Sequence, residues 1–151
     1  MSRIGSEECF VMDMEWYGVD RRGNIAVFCS AGEGCIPEFV CEDRERAEAL
    51  IGYFNGIEKR TTSELCFRQT ERAEQVARDF SDRGFYYYDA DDGTKPGVCV
   101  LHGYYTKQSF PKEPSNFASL PTHIQEILKQ NVMEIEDFSL EDIVQVKHAY
   151  E

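Results

Sequence analysis

The sequence predicts an α+β fold, in which a mostly antiparallel sheet of about five strands carries two or three helices on one face. Short aromatic and β-branched runs bounded by turn residues indicate the strands, and apolar residues at helical spacing indicate the helices. A length of 151 residues with 42% hydrophobic residues suits one domain. We therefore expect a single domain over 1–151, with 1–14 as a polar lead-in of uncertain order, and a sheet whose second face is exposed.

Two hairpins are expected from the pattern of strand and turn residues. The runs 16–19 and 24–28 lie on either side of a turn in which Asp20 can bond its own backbone and Gly23 supplies a positive φ. Further along, 85–88 and 98–110 flank a stretch rich in Asp and Gly. Near the end of the chain, the sequence predicts a last strand over 132–138, followed by a turn or short helix over 139–143.

Three helices are predicted between and after these strands. The first covers 42–57, with Asp43 as its N-cap, and the second covers 70–83, with Gly84 as its C-terminal cap. A third begins near Pro121, since proline is tolerated in the first turn of a helix. The apolar residues that repeat at helical spacing are Ala47, Leu50, Ile51 and Phe54 in the first helix and Ala73, Val76, Ala77 and Phe80 in the second.

The net charge of −12 restricts the classes of partner. Nucleic acids and anionic lipids both attract cationic surfaces, so neither is an expected partner, and a basic protein is. The chain has no apolar run long enough to cross a membrane and no apolar stretch near its start that would serve as a secretory signal, so we expect a cytoplasmic protein. A solvated acidic surface that only maintains solubility remains the simpler interpretation.

The six cysteines form no CxxC pair, which is the usual spacing of zinc and redox sites. In a reducing compartment such residues are most often buried or free thiols, and we expect that here. The cysteines are Cys9, Cys29, Cys35, Cys41, Cys66 and Cys99.

No motif in the chain predicts catalysis, a metal or a cofactor. The glycines at Gly32 and Gly34 lack the third glycine of a dinucleotide loop. The run from Asp89 places Gly93 fifth rather than sixth, so it departs from an EF-hand loop. The three histidines lie outside any hydrolase motif. We therefore predict no catalytic residue, no metal ligand and no cofactor.

Candidate partner-binding residues are an aromatic side chain and two acidic patches. Tryptophan is enriched where proteins bind one another, and clustered carboxylates steer basic partners. Core packing is the default for the tryptophan and a solvated face is the commoner explanation for the carboxylates, with partner binding as the alternative for each. The candidates are Trp16, the turn residues Asp89, Asp91 and Asp92, and the later residues Glu134, Glu136, Asp137, Glu141 and Asp142.

Two stretches of the chain carry a resemblance to known proteins. They are Trp16-Tyr17-Gly18-Val19-Asp20 with Gly23, Ile25, Ala26 and Phe28, and Arg83-Gly84-Phe85 with Tyr88-Asp89, Tyr104 or Tyr105, Pro111, Pro114 and Leu120-Pro121. Together these stretches resemble small bacterial proteins that include the immunity proteins of toxin systems, and the first is also loosely similar to the start of the SUKH immunity superfamily. The resemblance implies an acidic, cytosolic, non-catalytic protein and supplies no catalytic residues.

Three functional hypotheses follow from these observations. The leading one is an immunity-type protein that binds and blocks a basic toxin or effector domain through its acidic surface. The second is a small-molecule-binding or enzymatic domain with a pocket under the aromatic strands, which convergent polar groups of perturbed pKa would favour. The third is a housekeeping adaptor module.

Overall fold

A computed structural model describes residues 2–32, 34–90 and 103–150, and its elements alternate between helix and strand along much of the chain. The helices are α1 (Ser6–Val11), α2 (Glu38–Cys41), α3 (Arg44–Gly56), α4 (Glu71–Ser81) and α5 (Thr122–Leu128), and the strands are β1 (Glu15–Val19), β2 (Ile25–Cys29), β3 (Ser63–Leu65), β4 (Tyr86–Asp89), β5 (Tyr104–Pro111) and β6 (Ile143–Gln145).

The strands form one mixed sheet, in the order β1-β2-β4-β5-β3, with β6 also paired to β5. Every pairing is antiparallel except that of β2 with β4, in which Ala26 lies opposite Tyr86. Both expected hairpin pairings are present, β1 with β2 and β4 with β5. The predicted α+β class with a mostly antiparallel sheet is therefore confirmed.

Strand β5 organises one edge of the sheet because two short strands share its outer side. Its second half pairs with β3, where Leu65 lies opposite Ser109. Its first half pairs with β6, where Val144 lies opposite Tyr105. The sequence analysis did not predict β3 or β6, and strands of three residues carry too few alternations to be recognised from a pattern.

The three longest helices pack on one face of the sheet, as predicted. Asp43 accepts a hydrogen bond from the Arg46 N–H at the start of α3, and Thr70 accepts one from the Ala73 N–H at the start of α4. Gly84 has a φ of +104°, which suits the glycine that follows a helix. The core on this face is formed by Tyr17, Val19, Ile25, Val27, Leu50, Phe54, Ala77, Phe85, Tyr87, Ile124 and Leu128.

The second face of the sheet is covered, so the expectation of an exposed face is wrong. The central strands alternate apolar residues on both sides: Val27 and Phe28 are adjacent in β2 and both are fully buried. Helices α1 and α2 and the C-terminal stretch cover this face. Its core is formed by Ile4, Cys9, Trp16, Ala26, Phe28, Cys35, Ile36, Val40, Cys41, Tyr86, Tyr88, Ala90, Tyr105, Phe138, Val144 and Val146.

The first residues are part of this cover, in contrast to the lead-in of uncertain order that we expected. The Ile4 N–H donates to the Cys41 carbonyl oxygen at 2.9 Å, and Arg44 pairs with Glu8. In α1 the Cys9 side chain is fully buried, with its Sγ 3.4 Å from that of Cys41. Helix α1 thus contributes to the core.

The predicted last strand over 132–138 is wrong. Val132 makes only an isolated bridge to Val19, and a single 3₁₀ turn, Phe138–Leu140, follows. This 3₁₀ turn lies largely within 139–143, where the sequence predicted a turn or short helix, and the regular strand β6 begins at the last residue of that span, Ile143. The reason is tertiary, because the chain turns at Phe138 to bury that ring against the sheet.

Asp20 connects the first hairpin to the C-terminal stretch. Its Oδ1 accepts the N–H groups of Arg22 and Asn24 at 3.0 and 2.8 Å, which is the turn bonding expected from the sequence. Its Oδ2 accepts the Asn24 side-chain amide at 3.0 Å and the Phe138 N–H at 2.8 Å. With 2% of its surface exposed, Asp20 is a buried carboxylate whose two oxygens both accept hydrogen bonds.

Replacing Asp20 with alanine should destabilise the protein strongly. Removal of this acceptor leaves the buried Phe138 N–H unpaired, so we expect Asp20→Ala to lower the free energy of unfolding by about 3 kcal/mol. The matched change Asp43→Ala removes a helix cap with one backbone hydrogen bond and should cost about 1 kcal/mol. Urea unfolding measures both, and equal losses would contradict the assigned role of Asp20.

Candidate functional site

The chain after α5 crosses one face of the sheet and returns, which forms two limbs. The outgoing limb, 132–137, runs beside the end of β1: the Met133 N–H donates to the Val19 carbonyl at 2.8 Å, and the Ile135 carbonyl accepts the Arg21 N–H at 2.9 Å. The return limb, 141–149, contains β6 and continues beyond it, where the Ala149 N–H donates to the Ile36 carbonyl at 2.8 Å.

The turn between the limbs is fastened to the sheet by Phe138. Its ring is fully buried and packs against Phe28 and Tyr88. The Tyr88 hydroxyl donates to the carbonyls of Phe138 and Glu141, at 3.1 and 2.5 Å. The Lys107 ammonium donates to the Phe138 carbonyl at 3.0 Å. These contacts hold both limbs at fixed positions.

Sequence reasoning assigned no role to Lys107, which is 5% exposed in this acidic protein. The ammonium also lies 5.7 Å from the centre of the Tyr86 ring, a cation–π contact. Lys107 is two residues after Tyr105, which is fully buried. A register shift between β4 and β5 follows, and Ser109 lies on the opposite face, where its hydroxyl donates to the Ala77 carbonyl at 3.0 Å. Strand alternation therefore places Lys107 on the same face as Tyr105. That alternation was the available signal for its burial.

A groove lies between the two limbs and consists of two adjoining depressions of about 270 and 480 Å³. Glu134 and Gln145 line both depressions, so the two are adjacent. We call this feature the limb groove. It is lined by Pro37, Glu38, Phe39, Val132, Met133, Glu134, Ile135, Glu136, Glu141, Ile143, Val144, Gln145, Val146, Lys147, His148 and Ala149.

The lining of the limb groove is predominantly acidic, since it contains four glutamates and one lysine, Lys147, with apolar residues between them. Glu134, Glu136 and Glu141 are exposed, and within the described ranges no ion pair neutralises them. Glu38 is paired with Arg3 at 2.6 Å. Ile143 leaves 50% of its surface exposed. A surface of this kind can bind cationic groups and cover apolar ones at the same time.

The structure brings three of the predicted binding residues together in the limb groove, namely Glu134, Glu136 and Glu141. Asp142 is close by along the chain, with a side chain 94% exposed and 3.8 Å from the Lys107 ammonium. Asp137 is half-buried and accepts the Ser139 N–H at 2.9 Å, so it caps the 3₁₀ turn. The acidic segment is thus partly an exposed groove lining and partly a structural cap.

The expectation that Trp16 serves as an exposed anchor is wrong in this fold. The side chain is 2% exposed and stacks on Phe28 at 4.1 Å between ring centres. Its indole N–H donates to the Tyr105 hydroxyl at 3.3 Å. Trp16 and Tyr17 point to opposite faces of β1. Both faces of that strand are covered, so both side chains are buried.

Of the predicted acidic turn, only Asp89 lies within the described residues; Asp91 and Asp92 lie outside them. Asp89 ends β4 opposite Cys29, and its Oδ2 accepts the Tyr87 hydroxyl at 2.7 Å. It lines a separate cleft of about 600 Å³. The cleft is lined by Asp13, Cys29, Ala31, Gln69, Thr70, Arg72, Ala73, Val76, Phe80, Tyr87, Asp89 and Gln108.

The cleft beside Asp89 does not supply an activated nucleophile. Burial, and then the neighbouring carboxylate of Asp89, hold the pKa of the Cys29 thiol well above its usual range. Burial also raises the pKa of the Tyr87 hydroxyl. Both groups therefore keep their protons at neutral pH, and a thiol attacks only as the thiolate.

The described residues include neither a cluster of metal-binding side chains nor a helix that could span a membrane. In 2–32, 34–90 and 103–150, no three or more His, Cys, Asp or Glu side chains are grouped so as to hold a metal ion. Cys9, Cys29, Cys41 and Cys66 are free thiols. None of the helices described above has the length and apolarity that crossing a bilayer requires.

Comparison of the chain with protein-family models, with curated proteins and with solved structures found no match in any of the three. The candidate site therefore depends on the geometry of the limb groove and on the sequence.

Asp137 should make the stability depend on pH. The Ser139 hydrogen bonds, and then the charge of Arg22, lower the pKa of this carboxyl from its ordinary value. A lowered folded-state pKa adds stability above the unfolded pKa of about 4 that disappears as the pH falls through the folded value. We expect Asp137→Asn to be less stable by about 1 kcal/mol at pH 7. Thermal unfolding of both proteins should show this gap closing in acid, and a gap independent of pH would contradict it.

Alkylation should separate the cysteines by their surroundings. Cys66 is an exposed residue, and partial burial raises the pKa of its thiol, whereas the pKa of the Cys29 thiol is held well above its usual range. With iodoacetamide at pH 7.5 in the folded protein, we expect Cys66 to react at least about tenfold faster than Cys29, because only thiolates react. Peptide mapping by mass spectrometry gives both rates. Equal rates would mean that the Cys29 thiol ionises readily.

Proposed function

We propose that this chain is a non-catalytic protein-binding domain whose limb groove binds a basic partner, and that it acts as an immunity-type inhibitor of a basic toxin or effector domain. The observation that carries the proposal is the convergence of Glu134, Glu136 and Glu141 on one groove. These residues are close in sequence, but they line opposite walls, because the outgoing limb holds the first two and the return limb holds Glu141.

The charge of the whole molecule supports this function. A formal net charge of −12 produces a field that accelerates the approach of a cationic protein. Local carboxylates then select the docking position and disfavour acidic competitors. The exposed Ile143 in the groove provides apolar contact in addition to the charge. Such a surface suits a basic protein better than a small inorganic cation, which would need several oxygens around one point.

The proposal of an inhibitor role rests on the resemblance of two sequence stretches to toxin-immunity proteins. A cytosolic inhibitor of this kind needs no catalytic group, and a tight acidic surface is sufficient to cover the functional face of a basic toxin. A housekeeping adaptor would use the same groove for a different basic partner, so the identity of the partner distinguishes the two roles.

The small-molecule alternative has one observation in its favour, the cleft with Cys29, Tyr87 and Asp89. It matches the expectation of a pocket under aromatic strands with perturbed pKa values. The limb groove is favoured because the cleft holds its thiol protonated, and because Asp89 already accepts the Tyr87 hydroxyl.

The proposal can be tested by reversing charges in the groove. The variant Glu134→Lys, Glu136→Lys, Glu141→Lys should lose binding to the product of the neighbouring gene and should no longer restore growth when that product is toxic. Loss of three attractive charges and their replacement by repulsive ones should weaken binding at least about a hundredfold. Co-purification and growth rescue on co-expression are the measurements.

The matched control changes the same number of exposed glutamates outside the groove: Glu48→Lys, Glu58→Lys, Glu113→Lys. It alters the net charge by the same amount, so a loss confined to the groove variant assigns binding to the groove. If the wild-type protein neither binds the neighbouring product nor protects against it, the inhibitor role is wrong. If both variants lose binding equally, the groove is not the binding site.

A further inference from the structure

Strand β6 has one edge that no other described strand covers. The Lys107 N–H donates to the Asp142 carbonyl at 2.8 Å, and the Val146 N–H donates to the Gly103 carbonyl at 2.6 Å. In an antiparallel ladder, hydrogen-bonded pairs alternate along the strands, so Val144 also faces β5. The backbone groups of Ile143 and Gln145 therefore point away from β5, where no strand is paired with them in the part of the chain that the structure describes.

The free edge of β6 forms one wall of the limb groove. Ile143 and Gln145 both line the groove, and Glu134 and Glu136 line the wall opposite. Ile143 and Gln145 are exposed residues, so a bound strand has to displace water from their peptide groups. A groove bounded by an unpaired strand on one side and by carboxylates on the other can accept an extended chain.

We propose that the limb groove binds its partner by strand addition, in which an extended basic segment of that partner pairs with the free edge of β6. This inference rests on the proposed function and specifies its binding mode. The segment forms backbone hydrogen bonds with Ile143 and Gln145. Its cationic side chains face Glu134, Glu136 and Glu141, and its apolar side chains cover Ile143.

The charges of the groove decide which occupant the edge takes. A second copy of this chain is the other obvious candidate for an open strand, but each copy carries a formal charge of −12, and carboxylates flank the edge. Two such edges repel one another, since like charges across an interface are unfavourable. A basic segment meets opposite charge at the same place. Carboxylates beside an open edge thus suppress self-pairing and admit a cationic strand.

The experiment uses an alternating heptapeptide of lysine and valine with blocked ends, titrated into the full-length protein and followed by isothermal titration calorimetry. Two N-methylated forms serve as probes, one with the three valine amides methylated and the other with three lysine amides methylated. They have the same charge and the same number of methyl groups. Successive peptide groups of a strand point to opposite sides, so only one of the two sets can pair with β6.

Strand addition predicts that one methylated form binds about as well as the unmodified peptide, whereas the other binds at least about tenfold more weakly, which corresponds to roughly 1.4 kcal/mol. The groove variant with three lysines should lose binding to the unmodified peptide, and the control variant should keep it. The amide I band of an isotope-labelled peptide should shift to the β-sheet position on binding.

Each other outcome overturns a defined part of the argument. Equal binding of both methylated forms, with loss in the groove variant, leaves the acidic groove as the binding site and rejects strand addition. Absence of binding by the unmodified peptide rejects both strand addition and the affinity of the groove for basic segments. A dimer of the free protein in sedimentation velocity that the peptide dissociates assigns the edge to a second copy and rejects a foreign strand.

Discussion

Burial of the central strands on both faces is the constraint on which the other features of this fold depend. Val27 and Phe28 are adjacent in β2, point to opposite sides and are both fully buried. A parallel neighbour, β4, has the same property, with Tyr87 on one side and Tyr88 on the other. Such a sheet needs a cover on each face. The sequences of strands that are buried on both faces are continuous apolar runs and do not alternate between apolar and polar residues. Helices α3, α4 and α5 form one cover, and helices α1 and α2 together with the C-terminal stretch form the other.

The second cover explains where the polar interactions of the interior are found. The C-terminal stretch has little regular structure of its own, so its backbone groups need partners from elsewhere. Asp20 accepts the Phe138 N–H, while Tyr88 and Lys107 donate to the Phe138 carbonyl. A buried lysine and a buried aspartate thus contact one peptide segment from two sides. Each charged group replaces water with carbonyl or amide partners, which is the condition for burying a charge at tolerable cost.

The limb groove is a consequence of this same cover. The chain crosses the sheet and returns, and the space between its limbs is open. Phe138 provides the anchor, so the residues on either side of it extend outward with their carboxylates in solvent. The return limb adds β6 to the sheet, and the edge of β6 that points away from β5 has no paired strand among the described residues. The core contacts of Phe138 fix the positions of the limbs, and Glu134, Glu136 and Glu141 make the space between them acidic.

Local patterns in the sequence determined the first hairpin, the helices with caps at Asp43 and Thr70, and the acidic character of the C-terminal segment, because each depends on neighbours within a few residues. Tertiary structure alone decided that Trp16 is buried, since the exposure of its side chain depended on what covers the second face of the sheet. It also decided that β6 rather than 132–138 is the last strand, since β5 had a free side to pair with and Phe138 had a core to enter. Carboxylates clustered in sequence were visible from the start. Their arrangement around one groove was not, because the distance between two limbs depends on contacts that join residues far apart in the chain.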